Sequence, residues 1–420
     1  MKVLHISTSD SNGGAAIAAS RIHQSLFTNK DLQSSMFVAK KNTDIKGIQS
    51  FQSDLMKFYT FLKTGIGSKI SKIQITKNKS LHSVSCLPCR LEKFINESSY
   101  DLINLHWIQG EMLSIESIGR IKKPLIWTLH DNWAFSGSEH LPLNRFDIRY
   151  REGYFKQNKP KGHGFLDMDR WCWERKKNSW KIPMQIICPS KWLSECAKSS
   201  ALMNSWNIDI IPHPIDTSTF KPFSKKIARN LFNFPLDKKL ILFGAMDGTK
   251  DLNKGWDLLS KALEIVNNEI SDSKAIVLGQ SQNLNKEDIK MPVSFIGKLK
   301  DSQALAMLYS AADITIVPSR IESFGQMASE SSSCGTPVIG FDYSGIRDII
   351  ENDKTGYLIK PYDYELLAEA IIKLLKNQKQ IKAFGKASRK RAEELWSYKV
   401  VSKIYYETYL KVLGLNKEMK

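Results

Sequence analysis

Residues 314–341 read ITIVPSRIESFGQMASESSSCGTPVIGF, two short apolar runs bracketing a stretch of helical character. The first run is rich in β-branched residues and closed by Pro318, the pattern of a strand buried on both faces of a parallel sheet. Gly335 and Pro337 in Cys334-Gly335-Thr336-Pro337 stop the helix before the second run, PVIGF. Ser323 and Gln326 have capping-box spacing and predict where that helix starts. Parallel strands joined by a helix form a right-handed crossover, and the loop after the first strand lies at the carboxyl edge of the sheet. Open α/β sheets bind ligands there. Glu322 in the loop and Glu330 in the helix flank a helix start whose free N–H groups attract anions. The combination suits a ligand with hydroxyls and an anionic part, and a nucleotide sugar is such a ligand. Taken alone, the same residues also fit an ordinary loop acid, a solvated helix acid and a plain helix cap.

The alternation extends along most of the chain. VLHIST, a turn with Gly13-Gly14, a small-residue helix over 15–27 and the strand SMFVAK open the N-terminal half. Missing side chains at Gly13 and Gly14 let backbone approach a ligand. Further strands are expected at LINLHW and PLIWTLHD, which put His106 and His130 near carboxyl ends, and at MQIICPS and IDIIP. Helices are expected over 171–180 and 191–200. Residues 132–170 are aromatic and without period, and predict an excursion over the binding cleft. His213-Pro214 and Lys221-Pro222 mark a linker. The alternation then restarts with LILFGAM, AIVLG and VSFIGKL, and helices over 364–375, 381–395 and 398–413 close the chain. At 420 residues two domains are expected, over 1–213 and 214–395, with a final helical segment over 396–420.

Hydrophobic content of 42% supports packed cores and excludes global disorder. No apolar run approaches the roughly 20 residues of a membrane span, and MKVLHISTSD meets polar residues too early for a secretory leader. Cys86 and Cys89 form a single C-x2-C without the second pair of a zinc site. A reduced, cytoplasmic setting is expected. The net charge of +18 calls for an anionic partner. Over 51–80, Lys57, Lys63, Lys69, Lys72, Lys77 and Lys79 face a single acid, Asp54, and alternate with Leu55, Phe58, Phe61 and Ile66. That mixture suits the inner face of an anionic membrane, and equally a helix packed on its own domain. Nucleic acid is not expected as a partner, since no helix-turn-helix, zinc-finger or RNA-recognition signature is present.

ESFGQMASE has E-x7-E spacing, and the run continues through CGTPVIG, Tyr343-Ser344-Gly345-Ile346-Arg347-Asp348 and Thr355-Gly356-Tyr357-Leu358. In that order these motifs resemble the retaining family 4 glycosyltransferases (glycosyl transferases group 1), especially the bacterial polysaccharide-assembly members. The resemblance is tight in the C-terminal half and looser before it. It implies the GT-B fold: α/β, with two facing Rossmann-like domains, a cleft between them and a C-terminal helix crossing back to the first. A nucleotide-sugar donor and a lipid-linked glycan acceptor are implied, with no metal or other cofactor. By the same resemblance Glu322 binds sugar hydroxyls, Glu330 binds ribose hydroxyls, and Lys254, directly before Gly255, grips the diphosphate. Ser323, Phe324, Gly325 and Gln326 would line the sugar–phosphate pocket through their amides. Gly279 and Lys298 lie where relatives place the base. His130 in TLHDNW matches the family's cleft histidine. His106 in NLHW, with Gly13 and Gly14, would serve the acceptor.

The chain departs from the family in one place. Relatives pair the lysine with an arginine, but positions 245–247 and Asn253 hold none. Lys250 is the available substitute, without the planar fork of a guanidinium. Asp167-Met168-Asp169 spells D-x-D, the metal-binding signature of a different transferase fold, and a match this short is common by chance. Two other functions fit the same fold, a nucleotide-sugar epimerase or hydrolase and a non-catalytic sugar-nucleotide-binding protein.

Overall fold

The computed structural model describes residues 1–144, 146–244, 251–279 and 291–415. They form two compact units, one of Met1–Pro214 with Val401–Lys420 and one of Ile215–Val400. The first holds a seven-stranded sheet of β1 (Lys2–Ser9), β2 (Gln33–Lys40), β3 (Ile48–Ser50), β4 (Leu102–Leu105), β5 (Leu125–Thr128), β6 (Gln185–Cys188) and β7 (Ile208–Ile210). The second holds six strands, β8 (Lys239–Gly244), β9 (Ser273–Leu278), β10 (Val293–Ile296), β11 (Ile314–Val317), β12 (Val338–Phe341) and β13 (Gly356–Ile359). Every neighbouring pair is parallel. This is the doubly wound α/β architecture that the alternation predicts.

The strand orders matter for function. They run β3-β2-β1-β4-β5-β6-β7 and β10-β9-β8-β11-β12-β13. In each sheet the winding reverses once, between β1 and β4 and between β8 and β11. The loops leaving such a pair of strands diverge above and below the sheet and open a crevice at its carboxyl edge.

The helix Gln326–Ser333 starts two residues later than the capping box predicts. Its N-cap is Gly325, at φ 99, and no side chain caps it. A Cβ at Gly325 would lie 2.5 Å from Ile346 Cδ1, so tertiary packing overrides the local capping signal. The stop is where the sequence puts it. Gly335 (φ 72) donates its N–H to Ser332 O, and Thr336 N–H reaches Ser331 O, the paired bonds of a Schellman motif. Ser329, Ser331, Ser332 and Ser333 of this helix are buried. Three of these hydroxyls are paired, Ser329 Oγ with Gln326 O, Ser331 Oγ with Thr315 Oγ1 and Ser333 Oγ with Phe220 O. Small side chains also let the helix Gln378–Leu395 approach closely, since a Cβ at Gly385 would stand 2.2 Å from Gly335 O.

The closing helix Tyr398–Val412 packs on the N-terminal sheet from Val401 onward. Val401, Tyr405 and Tyr409 share a core with Val3, Leu102 and Ile126. Tyr409 Oη accepts from Asn104 Nδ2 at 2.9 Å, and Asn104 Oδ1 accepts from Thr128 Oγ1 at 3.0 Å.

Part of the segment 132–170 corrects the sequence reading, while Phe155, Phe165 and Leu166 stay exposed. Trp133, Ala134, Phe135, Tyr150 and Tyr154 belong to the main core of the N-terminal unit rather than to an excursion. Lys176, fully buried, makes this possible by donating to the carbonyls of Trp133, Ser136 and Gly137. Buried irregular backbone is stable only when such groups are paired. The strand β3 and the helices Leu91–Glu97 and Ile115–Gly119 were not legible, being short and without period. No helix among the described residues is long and apolar enough to cross a membrane.

Replacing Tyr409 by Phe should leave the Asn104 amide without its partner in the core. The expected loss is about 1–3 kcal/mol of unfolding free energy, read from urea denaturation; an unchanged midpoint would contradict this role for the closing helix.

Candidate functional site

The second sheet's reversal brings two loops together. After β8 the chain forms a 3-10 turn, Leu252–Lys254, whose N-cap Asp251 accepts from Asn253 N–H at 2.9 Å. Gly255 follows in the left-handed region, at φ 71. A Cβ there would lie 2.0 Å from Pro318 O, so only glycine lets the turn pack against the end of β11. Asn253 then stitches the turn to the loop after β11: its Nδ2 donates to Ile321 O, its Oδ1 accepts from Ile321 N–H, and its carbonyl accepts from Arg320 N–H. The Arg320 guanidinium adds a two-pronged pair to Asp257, at 2.9 and 2.7 Å.

This stitching places Lys254 Nζ 2.6 Å from Glu322 Oε1. Ser319 Oγ donates to the same oxygen at 2.8 Å. A third loop, after β12, holds Glu322 from behind. Glu322 N–H donates to Ser344 Oγ at 2.9 Å, and its carbonyl accepts from Gly345 N–H at 2.8 Å. The Lys254 and Glu322 side chains retain 31% and 18% of their exposure, enough for a ligand to reach both. Burial alone would pull the Lys254 ammonium down, but the charge and hydrogen bond of Glu322 more than offset it and hold Lys254 above the usual lysine value. The pair thus keeps a permanent cation beside carboxylate oxygens that can accept hydrogen bonds.

The other expected residues divide. Glu330 is buried, with Oε2 accepting from Tyr309 Oη at 2.7 Å, in a pair separate from Lys254 and Glu322. The Phe324 side chain is buried in the core, its ring edge-on to Trp396, so only its backbone can face a ligand. Ser323, Gly325 and Gln326 lie at the start of their helix as expected, though Gly325 rather than Ser323 is the cap. Gly279 (φ 92) directly follows β9 and donates to Ile296 O, which places it near the exposed Lys298 after β10. Lys250 and positions 245–247 lie outside the described residues.

In the N-terminal unit, Gly13 (φ 91) caps the helix Gly14–Ser25, and a Cβ there would meet nothing within 4 Å. His130 follows β5 and is partly exposed. His106 follows β4 and is buried, with both ring nitrogens paired, to His5 and to His130. It therefore cannot touch an acceptor directly, contrary to the sequence reading. Asp167 of the D-x-D caps the helix Met168–Ser179 and pairs with Arg149, and Asp169 is buried against Ser138 and Gln74. Both carboxylates hold the fold. Ser319, Asn253, Ser344 and His5 were missed, because their partners lie far away in sequence or carry no spacing signal.

Residues 224–391, within the second unit, match the family model described as glycosyl transferases group 1. The D-inositol 3-phosphate glycosyltransferase of Xylanimonas cellulosilytica is 30% identical to this chain over 184 residues, 40% of the chain and 43% of the relative. The sulfoquinovosyl transferase SQD2 of Arabidopsis thaliana is 28% identical over 203 residues, 46% and 38% of the two chains. The match thus spans less than half the length of either relative. The matched segment contains the Lys254–Glu322 pair. Across 99% of the chain the fold resembles a sucrose-phosphate synthase from Thermosynechococcus elongatus, with a TM-score of 0.70 at 19% identity and all of that chain covered. The Anabaena HepE structure with UDP and glucose gives 0.66 at 16% identity, over 98% of this chain and 100% of its own. The fold is GT-B.

Gly255→Ala should cost at least about 1–2 kcal/mol through the left-handed backbone alone, before the clash with Pro318 O. Urea denaturation would show it, and wild-type stability would refute the role assigned to this glycine. Acid should also weaken the fold. Burial holds His23 and His130 at about 4, below the ordinary histidine value of 6.5. Both are neutral when folded, whereas the unfolded chain takes up protons below 6.5. Their contribution to stability is therefore complete above 6.5 and is lost as pH falls towards 4. The urea midpoint at pH 5 should lie below that at pH 7.5, by less in His23→Asn; equal midpoints in the wild type would contradict this.

Proposed function

We propose that this chain is a retaining glycosyltransferase that moves a sugar from a nucleotide-sugar donor to a lipid-linked glycan acceptor in surface polysaccharide assembly, without a bound metal, at the cytoplasmic face of the membrane. The observation that carries it is the 2.6 Å Lys254–Glu322 pair at the reversal point of a group 1 domain. A nucleoside diphosphate leaves with negative charge developing on phosphate oxygens. A fixed ammonium stabilises that charge, and Lys254 has three donors, of which Glu322 uses one. Glu322 offers carboxylate oxygens to sugar hydroxyls, and charge-assisted bonds of this kind contribute roughly 1.5–3 kcal/mol each. Its bonds to Lys254 and Ser319 disperse its charge and make it a poor nucleophile. Retention then proceeds on one face of the sugar. The bond from C1 to the phosphate oxygen breaks, the acceptor oxygen bonds C1 from the same side, and the acceptor proton passes to the departing phosphate. A ribose hydroxyl at Glu330 would share that carboxylate with Tyr309.

Membrane association is supported by an inverted helix. In Asp54–Ser71 the buried residues are Thr60, Lys63 and Gly67. Leu55, Phe58 and Phe61 are 80%, 59% and 65% exposed. A helix that hides its small and polar stripe and shows its aromatic one, with lysines nearby, is suited to a headgroup layer.

Lys254→Ala and Glu322→Ala should each reduce sugar transfer by orders of magnitude while the unfolding transition stays near wild type. Near-normal transfer in both variants would refute the assignment, and rapid consumption of donor without acceptor would favour an epimerase or hydrolase. Wild type should co-sediment with vesicles containing anionic lipid, and Phe58→Glu/Phe61→Glu should not. Equal sedimentation of the two would remove the membrane role of this helix.

A further inference from the structure

Three imidazoles cross the centre of the N-terminal sheet on three neighbouring strands. His5 lies within β1, His106 directly follows β4, and His130 follows β5. His5 Nδ1 is 2.9 Å from His106 Nε2, and His106 Nδ1 is 3.1 Å from His130 Nε2. The nitrogens face one another in pairs rather than converging on a point. His5 and His106 are 0% and 1% exposed, and His130 lies at the carboxyl edge, its ring stacked on His213 at 5.0 Å between centroids. Both ends of the column are unpaired: among the described residues, neither His5 Nε2 nor His130 Nδ1 has a hydrogen-bond partner, although both atoms are buried.

A neutral imidazole carries one N–H and one lone pair. Burial holds all three rings below the ordinary histidine range, so three protons are shared among them near neutrality. Each internal bond needs one donor and one acceptor. If His5 donates through Nδ1, His106 accepts at Nε2 and must donate through its own Nδ1, and His130 then carries its proton on Nδ1. If His130 donates through Nε2, the order reverses along the whole column. A mixed state would set two protons or two lone pairs against each other in a buried gap.

We infer that His5 and His106 are positioning residues that join His130 in one hydrogen-bonded column with a common tautomer, so that the column sets whether His130 Nδ1 donates to, or accepts from, a substrate hydroxyl at the sheet edge. A hydroxyl can take either role, whereas a fixed tautomer takes one. The column orients the ring and commits its outer nitrogen, as a carbonyl or carboxylate commits a histidine elsewhere. Only the kinetic consequence rests on the transferase reading; the tautomer coupling does not.

The eight histidines are few enough for selective ¹⁵N labelling, with assignment by single replacements. Long-range ¹H–¹⁵N spectra report which ring nitrogen is protonated. Expected are the same tautomer in His5, His106 and His130 of the wild type, and a changed tautomer population at His130 in His106→Leu. Unequal tautomers in the wild type overturn the inference, and this arm needs no variant to fold. A His130 spectrum unmoved by His106→Leu also overturns it. In transfer assays His106→Leu should lower kcat by roughly 10- to 100-fold, the scale of removing a group that orients a working histidine, with the donor KM unchanged. A common tautomer with unchanged kcat overturns the positioning role. A common tautomer in a protein that transfers no sugar upholds the column and sinks the transferase reading instead.

Discussion

The close approach of two backbone segments governs the C-terminal site. Gly255 turns in the left-handed region directly against the carbonyl of Pro318, at a distance no other residue tolerates. Only then can Asn253 bridge to Ile321, and Arg320 to Asp257. The Lys254–Glu322 pair is the product of that packing. Neither residue is held by its own loop alone, which explains why a lysine before glycine and a glutamate 68 positions later behave as one unit.

The N-terminal unit uses a different device. Its strands β4, β5 and β6 are buried almost throughout, yet the sheet carries a row of neutral imidazoles into the core, each pairing with the next. Within the row the facing nitrogens satisfy one another, while His5 Nε2 and His130 Nδ1 have no partner among the described residues. The closing helix serves the same region from the other side, where Tyr409 covers Asn104 and lies edge-on to His5 at 6.4 Å. Removing a polar partner here disturbs packing and tautomer together.

The features legible in the sequence were those with local causes. Buried β-branched runs announced β11 and β12, and Gly335 with Pro337 announced the helix stop, since both signals act within a few residues. Lys254 and Glu322 became legible through the motif order of a family, not through spacing. What failed had distant causes. Ser323 and Gln326 looked like a capping box because the contact of Ile346 with Gly325 is invisible locally. The start of the segment 132–170 looked like part of an excursion because the buried lysine that pairs its carbonyls, Lys176, lies in a later helix. His106 was assigned to the acceptor by the family's NLHW motif, which does not reveal that His5 and His130 fill the space on both sides of its ring.

The central claim is that Lys254 holds the anionic part of the ligand in a site shaped by Glu322. Calorimetric titration of a panel of nucleoside diphosphates into the wild type and into Lys254→Met measures it directly. The account predicts saturable binding of at least one diphosphate, weakened in the variant by about one to two orders of magnitude, the equivalent of one charge-assisted bond. Equal affinity in the two proteins, or no binding by the wild type, would contradict it.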